Sequence, residues 1–131
     1  MKVGPVSKGE KNVADPSRGD IWLADLNPTR GHERAGQRPV LVISEDIFNK
    51  GLAGLVIVLP ITSTYRGVPS QVPIKPPEGG AKNPCVILCE AVRSIAKERL
   101  VRRWGKVSAL TLAAVEDRKI DFVFSWGFKL T

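Results

Sequence analysis

The residues best suited to chemistry lie in a polar loop and at the start of the apolar segment that follows it. His32 and Glu33 are adjacent in the loop, and Arg38 directly precedes Pro39. Cleaving RNA without a metal ion requires a base for the 2′-hydroxyl, an acid for the leaving 5′-oxygen and donors for the phosphorane. A guanidinium such as that of Arg38 can place two donors on a phosphate in a fixed geometry, although a surface arginine paired with a carboxylate would look the same in the sequence. His32 and Glu33 point to opposite sides of an extended segment, so they cannot form an acid–base pair with each other.

Two further pairs of polar residues lie at the ends of apolar segments. Thr62 and Ser63 end one such segment, where hydroxyl groups either bind a phosphate or cap a turn. Glu90 and Arg93 follow another segment, with a spacing that also suits a local salt bridge. These residues become informative only in combination with the loop.

The charge balance predicts an anionic partner. The formal net charge is +7 and the isoelectric point is near 9.8. Nucleic acid is the commonest partner of a small basic domain, although general solubility gives the same composition. A basic cluster that could follow a phosphate backbone is formed by Arg99, Arg102, Arg103 and Lys106.

Several classes of site are disfavoured by what the sequence lacks. It contains no Gly-rich phosphate loop, no Gly-x-Ser-x-Gly elbow and no His-Glu-x-x-His motif. On a strand, Cys85 and Cys89 would lie about 13 Å apart, which is too far for a disulfide. We therefore expect free thiols, no metal site and no cofactor.

The length of 131 residues predicts one domain, with residues 1–17 as a flexible N-terminal arm and residues 18–131 as the folded unit. No apolar run approaches the roughly 20 residues of a membrane span. The N-terminal residues lack the apolar stretch of a signal peptide. These features predict a cytoplasmic protein without a membrane partner.

The elements that must position the polar residues are mostly short strands. Strands are predicted at residues 21–26, 38–44, 54–62, 71–74, 85–92 and 102–107. Short helical turns are predicted at 45–50 and 96–100, and a Pro- and Gly-rich connection at 75–84. Ser108 can cap a C-terminal helix that has Leu112 and Val115 on its apolar side. The pattern predicts a mainly β fold with short helices, either a small barrel or a sandwich.

From about residue 18 to residue 107, the chain resembles the MazF/PemK/Kid family of toxin endoribonucleases. Many independent motifs occur in the family's order, which makes chance agreement improbable. They are Arg18-Gly19-Asp20-Ile21-Trp22, Asn27-Pro28-Thr29-x-Gly31-His32-Glu33, Arg38-Pro39-Val40-Leu41-Val42, Phe48-Asn49, Pro60-Ile61-Thr62-Ser63, Val86-Ile87-Leu88-Cys89-Glu90-x-Val92-Arg93-Ser94-Ile95 and Arg99-Leu100 with Gly105-Lys106-Val107.

The resemblance implies an SH3-like small β-barrel of the PemK/CcdB type with a C-terminal helix, assembled as a homodimer. It implies a sequence-specific endoribonuclease that needs neither a metal ion nor the ribosome and cuts single-stranded mRNA. The products would carry 2′,3′-cyclic phosphate and 5′-hydroxyl ends. A cognate MazE-like antitoxin would neutralise the enzyme, and no cofactor would be required.

The resemblance also implies roles for individual residues. Arg38 and Thr62 match the family's catalytic arginine and threonine, and Glu33 matches a loop glutamate that supports activity in some members. Leu88 stands where the Kid branch has an arginine, so the arrangement of Arg38 with Thr62 is the one we expect. The predicted RNA-binding residues are His32, Gln37, Asn49, Ser63, Glu90 and Arg93.

Two other functions fit parts of the sequence. A non-enzymatic, CcdB-like toxin of the same fold would poison DNA gyrase, and the apolar tail from Phe122 to Phe128 is compatible with this alternative. A basic module that binds RNA without cutting it is the third interpretation.

Overall fold

The computed structural model describes residues 15–26 and 36–118. Within that part, the chain forms one antiparallel sheet of seven strands. The strands are β1 (Asp20–Asp25), β2 (Gln37–Val42), β3 (Leu55–Thr62), β4 (Gln71–Ile74), β5 (Cys85–Leu88), β6 (Arg93–Ala96) and β7 (Leu100–Lys106). The helical elements are α1 (Asp46–Asn49), 3-10 turns at Glu78–Gly80 and Lys97–Arg99, and α2, which covers residues 109–118.

The strand order is β4-β5-β3-β2-β1-β7, and β6 pairs with the remaining part of β3. The predicted mainly β fold with a C-terminal helix is confirmed. Most predicted strands are present, with ends that differ from the prediction by up to two residues. The predicted helical turns correspond to α1 and to the 3-10 turn at Lys97–Arg99.

The two central strands are buried on both faces, because side chains alternate across a strand and each face has its own core cluster. On β2, Leu41 belongs to the larger cluster, whereas Val40 and Val42 belong to the smaller one. All three residues are fully buried. This double coverage explains why the segment reads as a continuous apolar run, and it gives the residues at the strand ends a rigid base.

The predicted strand at residues 85–92 is wrong, because the chain turns at residues 89 and 90 and splits it into β5 and β6. Ile61 pairs with Ile87, and Val58 pairs with Arg93. Moving three residues along β3 therefore corresponds to moving six residues along the segment that contains β5 and β6. The extra residues bulge out of the ladder beside Pro60, which has no N–H to offer to a partner strand.

The start of α2 agrees with the prediction. The Thr111 backbone N–H donates to Ser108 Oγ at 3.1 Å, which is the expected N-cap bond. Val115 is fully buried in the larger core cluster, and Leu112 packs against that cluster. In the part of the chain that the structure covers, no helix has both the length and the apolar character needed to cross a membrane.

The predicted N-terminal arm falls mostly outside the described residues, but its last three residues are held in place. Pro16 is buried, and its carbonyl accepts a hydrogen bond from Asn49 Nδ2 at 3.0 Å. Lys97 Nζ lies 3.0 Å from Asp15 Oδ1. These contacts fasten residues 15–17 to the folded unit. The apolar tail at residues 119–131 lies outside the described residues.

Candidate active site

A cleft of about 570 Å³ brings three of the predicted site residues together. Arg38, Thr62 and Ser63 line one side of it. The rest of its described lining consists of Pro39, Ile61, Gly80, Ala81, Lys82, Asn83, Pro84, Cys85, Arg102, Arg103 and Trp104.

Arg38 is exposed because only one edge of β2 is paired at its start. Arg38 lies opposite Ala24 of β1. On the other edge, pairing with β3 begins only at Val40, opposite Pro60. Pro39 is tolerated here because its missing N–H leaves no ladder position unfilled. The backbone of Arg38 is thus anchored on one side, while the guanidinium extends into the cleft without an ion pair to any described residue.

Thr62 is held at the last position of β3, opposite Val86 of β5. The Thr64 backbone N–H donates to Thr62 Oγ1 at 3.2 Å. This bond caps the turn, as considered from the sequence. The Thr62 oxygen is the acceptor, so the bond orients the hydroxyl group and leaves its proton available for donation. Thr62 can therefore still donate to a phosphate oxygen, and the exposed Ser63 lies beside it.

A second part of the lining is the far wall, which we define as residues 80–84 together with Arg102 and Trp104. It rests on a close backbone approach between Gly80 and β7. A Cβ on Gly80 would lie 2.4 Å from the Trp104 carbonyl oxygen, and a Cβ on Gly105 would lie 2.8 Å from the Gly79 carbonyl carbon. Gly80 also has a φ of +81°, a conformation that side chains disfavour. Only glycine fits this contact, so the segment is held close to β7.

Glu78 ties the base of the far wall to α2. The Ser108 backbone N–H donates to Glu78 Oε2 at 2.9 Å. Burial raises the pKa of Glu78, but hydrogen bonds from the Thr111 side chain and from the backbone and side chain of Ser108 outweigh it and leave the pKa below its ordinary value. The carboxylate form of Glu78 is therefore the form that the fold stabilises.

The cleft is strongly cationic. Its described lining contains Arg38, Lys82, Arg102 and Arg103, but no carboxylate and no imidazole. Arg103 Nη2 lies 3.2 Å from Oδ1 of the buried Asp20, so its charge is partly neutralised. The arrangement favours an anionic ligand with several charges, such as a phosphodiester chain.

His32 and Glu33 lie outside the described residues, in the segment that joins β1 to β2. Its base is closed by a hydrogen bond from the Leu26 N–H to the Gly36 carbonyl at 2.8 Å. The segment therefore returns to the chain two residues before Arg38, at the edge of the cleft.

Four predicted RNA-binding residues in the described part of the chain do not line the cleft, and three of them are exposed. Gln37 is exposed next to Arg38 but is not part of the described lining of the cleft. Arg93 lies opposite Val58, four residues along β3 from Thr62 and therefore roughly 13 Å away. Glu90 is exposed in the turn between β5 and β6.

Asn49 has a different role from the predicted one. Its side chain is fully buried, and Nδ2 donates to the carbonyls of Ser44 and Pro16 at 3.1 and 3.0 Å. The Ser44 hydroxyl donates to its Oδ1. Asn49 thus joins α1 to the segment that precedes β1, and we leave it out of the proposed RNA-binding set.

Sequence reasoning missed the contribution of Lys82, Asn83 and Trp104 to the cleft. Lys82 and Asn83 lie in the connection at residues 75–84, whose proline and glycine content predicted a turn but no functional role. The pair Gly79-Gly80 was the available signal for a close backbone approach, but its partner on β7 is distant in sequence.

Cys85 and Cys89 form no disulfide with each other, as predicted. Cys89 is buried in the larger core cluster. Cys85 is half-buried in the lining of the cleft, and burial raises the pKa of its thiol. Across residues 15–26 and 36–118, no three His, Cys, Asp or Glu side chains cluster in a way that could hold a metal ion.

Comparisons with known proteins agree with the fold. The family model described as PemK-like, MazF-like toxin of type II toxin–antitoxin system matches residues 17–123. The chain is 41% identical over 105 residues to endoribonuclease MazF9 of Mycobacterium tuberculosis, covering 76% of this chain and 89% of that protein. It is 42% identical over 85 residues to endoribonuclease EndoA of Bacillus subtilis, covering 63% and 72%.

Solved structures give the same answer. The crystal structure of MazE–MazF from Deinococcus radiodurans contains a chain that matches with a TM-score of 0.73 and 29% identity, covering 84% of this chain and 96% of that one. MazF alone from the same organism matches with a TM-score of 0.70 and 29% identity, covering 84% and 97%. A family model that spans most of the chain, two relatives above 40% identity and the shared fold lead to one assignment. The chain belongs to the PemK-like, MazF-like toxin family of type II toxin–antitoxin systems.

Proposed function

We propose that this chain is a sequence-specific endoribonuclease toxin that cuts single-stranded mRNA without a metal ion and without the ribosome. The observation that carries the proposal is the convergence of Arg38, Thr62 and Ser63 on one cationic cleft. The relatives in Mycobacterium tuberculosis and Bacillus subtilis are named endoribonucleases, which supports the same activity here. The proposed place of action is the cytoplasm, where mRNA is present.

The chemistry is an internal transfer of the phosphodiester. The 2′-oxygen attacks phosphorus as its proton passes to a base, and the bond from phosphorus to the 5′-oxygen breaks. The 5′-oxygen leaves as a hydroxyl with a proton that Arg38 donates and regains from solvent, and the other product ends in a 2′,3′-cyclic phosphate. Charge builds on the non-bridging oxygens, where the two donors of Arg38 stabilise it more than in the ground state. Thr62 fixes the scissile phosphate through its hydroxyl.

The base is proposed to come from the segment between β1 and β2. The described lining of the cleft has no carboxylate or imidazole to take the 2′-proton. That segment carries both Glu33 and His32 and returns to the chain two residues before Arg38. We propose Glu33 as the base and His32 as an RNA-binding residue. Gln37, Ser63, Glu90 and Arg93 complete the proposed RNA-contacting set; Glu90 lies in the turn between β5 and β6, and Arg93 is the first residue of β6.

We also propose that the toxin forms a homodimer and is neutralised by a cognate MazE-like antitoxin. The crystal structure of MazE–MazF from Deinococcus radiodurans, whose MazF resembles this chain, supports the antitoxin. A cationic cleft is suited to an acidic segment of a partner as well as to RNA.

The test is to incubate the purified protein with a long RNA of known sequence in excess EDTA and to map the product ends. We expect discrete cuts that share a short word and carry 2′,3′-cyclic phosphate and 5′-hydroxyl ends. Replacing Arg38 by alanine should lower kcat by roughly 100- to 1000-fold, as for other preorganised donors to a developing oxyanion. Arg38→Lys keeps the charge but loses the fork, so it should restore only a small part of the rate.

Lys50→Ala is the matched control, since Lys50 is exposed and lies outside the cleft. If Arg38→Ala cuts as fast as Lys50→Ala while remaining folded, the assignment of Arg38 is wrong. The gyrase-poisoning alternative is not favoured by the comparisons, because the relatives are named endoribonucleases. RNA that binds but stays intact at saturating protein would instead support the module that binds without cutting.

A further inference from the structure

The far wall of the cleft carries two cations that no step of the proposed reaction uses. Lys82 lies in the segment after the 3-10 turn, and Arg102 lies on β7. Both side chains are exposed, and neither forms an ion pair with any residue in the described part of the chain. The neighbouring Arg103 differs, because it is paired with the buried Asp20. Lys82 and Arg102 are thus available to an anionic ligand.

Arg102 reaches the cleft from β7, two strands away from Arg38 on β2, and Lys82 lines the same cleft. Strands β2 and β7 flank β1, and Leu23 pairs with Pro39 on one edge and with Arg102 on the other. Neighbouring strands are about 4.8 Å apart, so the backbones of Arg38 and Arg102 are separated by roughly 10 Å. A single phosphate held by Arg38 and Thr62 therefore leaves Arg102 and Lys82 to other charges of the same ligand.

The far wall is also preorganised to hold charge. Gly80 and Gly105 set the segment directly against the backbone of β7, and Glu78 fastens its base to α2. The backbone that carries Lys82 cannot move away from β7 without breaking these contacts. A cation on a fixed base loses less ordering entropy when it binds a phosphate than one on a loose loop.

Resting on the proposed function, we propose that Lys82 and Arg102 bind the phosphates that flank the scissile phosphate and so hold the RNA strand in the cleft. They act on every nucleotide sequence alike, because phosphate contacts carry no base information. They lower the KM of cleavage and leave the choice of word and the chemical step to other residues.

The test measures how binding depends on salt. The probe is a fluorescent single-stranded oligonucleotide of mixed sequence with 2′-deoxyriboses throughout, which lacks the attacking hydroxyl and cannot be cut. Each phosphate contact contributes about 0.7 to the slope of log affinity against log salt for a single strand. The double variant Lys82→Ala with Arg102→Ala should therefore lose about 1.4 from the slope. Between 50 and 200 mM salt, the wild type should lose about sevenfold more affinity than the double variant.

The charge-preserving variants Lys82→Arg and Arg102→Lys should retain the wild-type slope, and the control Lys50→Ala should retain it as well. Lys82→Gln and Arg102→Gln, tested singly, keep much of each side-chain stem and should each lose about half of the effect. A double variant whose slope equals that of Lys50→Ala would overturn the proposal. So would a charge-preserving variant that fails to restore the slope.

Cleavage kinetics separate this inference from the proposed function. The double variant should raise KM and leave kcat and the cleaved word unchanged, because flanking contacts bind ground state and transition state alike. A fall in kcat at unchanged KM would overturn the role in strand binding. If the wild type cuts no RNA but the slope still falls in the double variant, the nuclease proposal fails and the phosphate-binding wall stands.

Discussion

Replacing Gly80 by alanine should destabilise the protein for two separable reasons. The first is conformational, since φ at Gly80 is +81° and a side chain in the left-handed region costs roughly 1–2 kcal/mol. The second is steric, since the new Cβ would lie 2.4 Å from the Trp104 carbonyl oxygen, a backbone atom. Overpacking of this kind costs about 1–3 kcal/mol, so the sum is roughly 2–5 kcal/mol. That is a large share of the total stability of a domain, which is about 5–15 kcal/mol.

Two other glycines isolate the two contributions. Gly54 has a φ of +68°, and a Cβ added there would meet nothing within 4 Å, so Gly54→Ala reports the conformational cost alone. Gly105→Ala reports mainly the steric cost, because its Cβ would lie 2.8 Å from the Gly79 carbonyl carbon and no positive φ is involved. The assay is urea unfolding of all three variants and the wild type, with the free energy of unfolding extrapolated to water.

Gly80→Ala should cost at least about 1 kcal/mol more than Gly54→Ala. If the two variants are equally stable, the close approach of residues 79–80 to β7 does not constrain the fold, and the proposed rigidity of the far wall is refuted. Below the unfolding range, Gly80→Ala should also raise the KM for RNA, because the displaced segment carries Lys82.

Two other predictions concern groups outside the cleft. Glu78 has a folded-state pKa below its unfolded value, so its contribution to stability is present above the unfolded pKa and is lost as pH falls through the folded pKa. The difference in free energy of unfolding between the wild type and Glu78→Gln should therefore be constant near neutral pH and shrink below about pH 4.5. Urea unfolding at several pH values measures this difference. A difference that grows in acid would contradict the prediction. Asn49→Ala should cost about 1–3 kcal/mol, because it leaves buried partners at Ser44 and Pro16 unsatisfied. Its kcat on RNA, measured well below the unfolding temperature, should stay close to that of the wild type, and a large fall in kcat would return Asn49 to the RNA-contacting set.

The sequence was most informative where local pattern and tertiary structure agree. The strands near residues 21, 40 and 58 are apolar runs that end at polar or proline residues, and the structure buries them as predicted. Arg38 and Thr62, which the family resemblance had identified, line the same cleft because each lies at a strand end, where a side chain can be anchored and still reach solvent. Ser108 could likewise be predicted as the N-cap of α2, because a serine directly before a helical segment is a local signal.

The failures share a cause, which is that the deciding partner is remote in sequence. The segment at residues 85–92 has an unbroken apolar pattern, and only its pairing with β3 beside Pro60 shows where it must turn. Asn49 lies in a motif with Phe48 and gave no local sign of burial. Its burial depends on Pro16, which is 33 positions earlier in the chain.

The far wall shows how a cleft can be rigid and still tolerate changes of sequence. Its shape depends on backbone contacts between Gly80 and β7, and the side chains of Lys82 and Asn83 contribute nothing to those contacts. Replacing such exposed side chains costs little stability, in general within about 0.5 kcal/mol. In the proposed mechanism the catalytic side is different, because Thr62 would both close its turn and face the phosphate. We therefore expect substitutions that alter how the RNA strand is held to be tolerated on the far wall, and substitutions at Thr62 to disturb the turn and the proposed chemistry together.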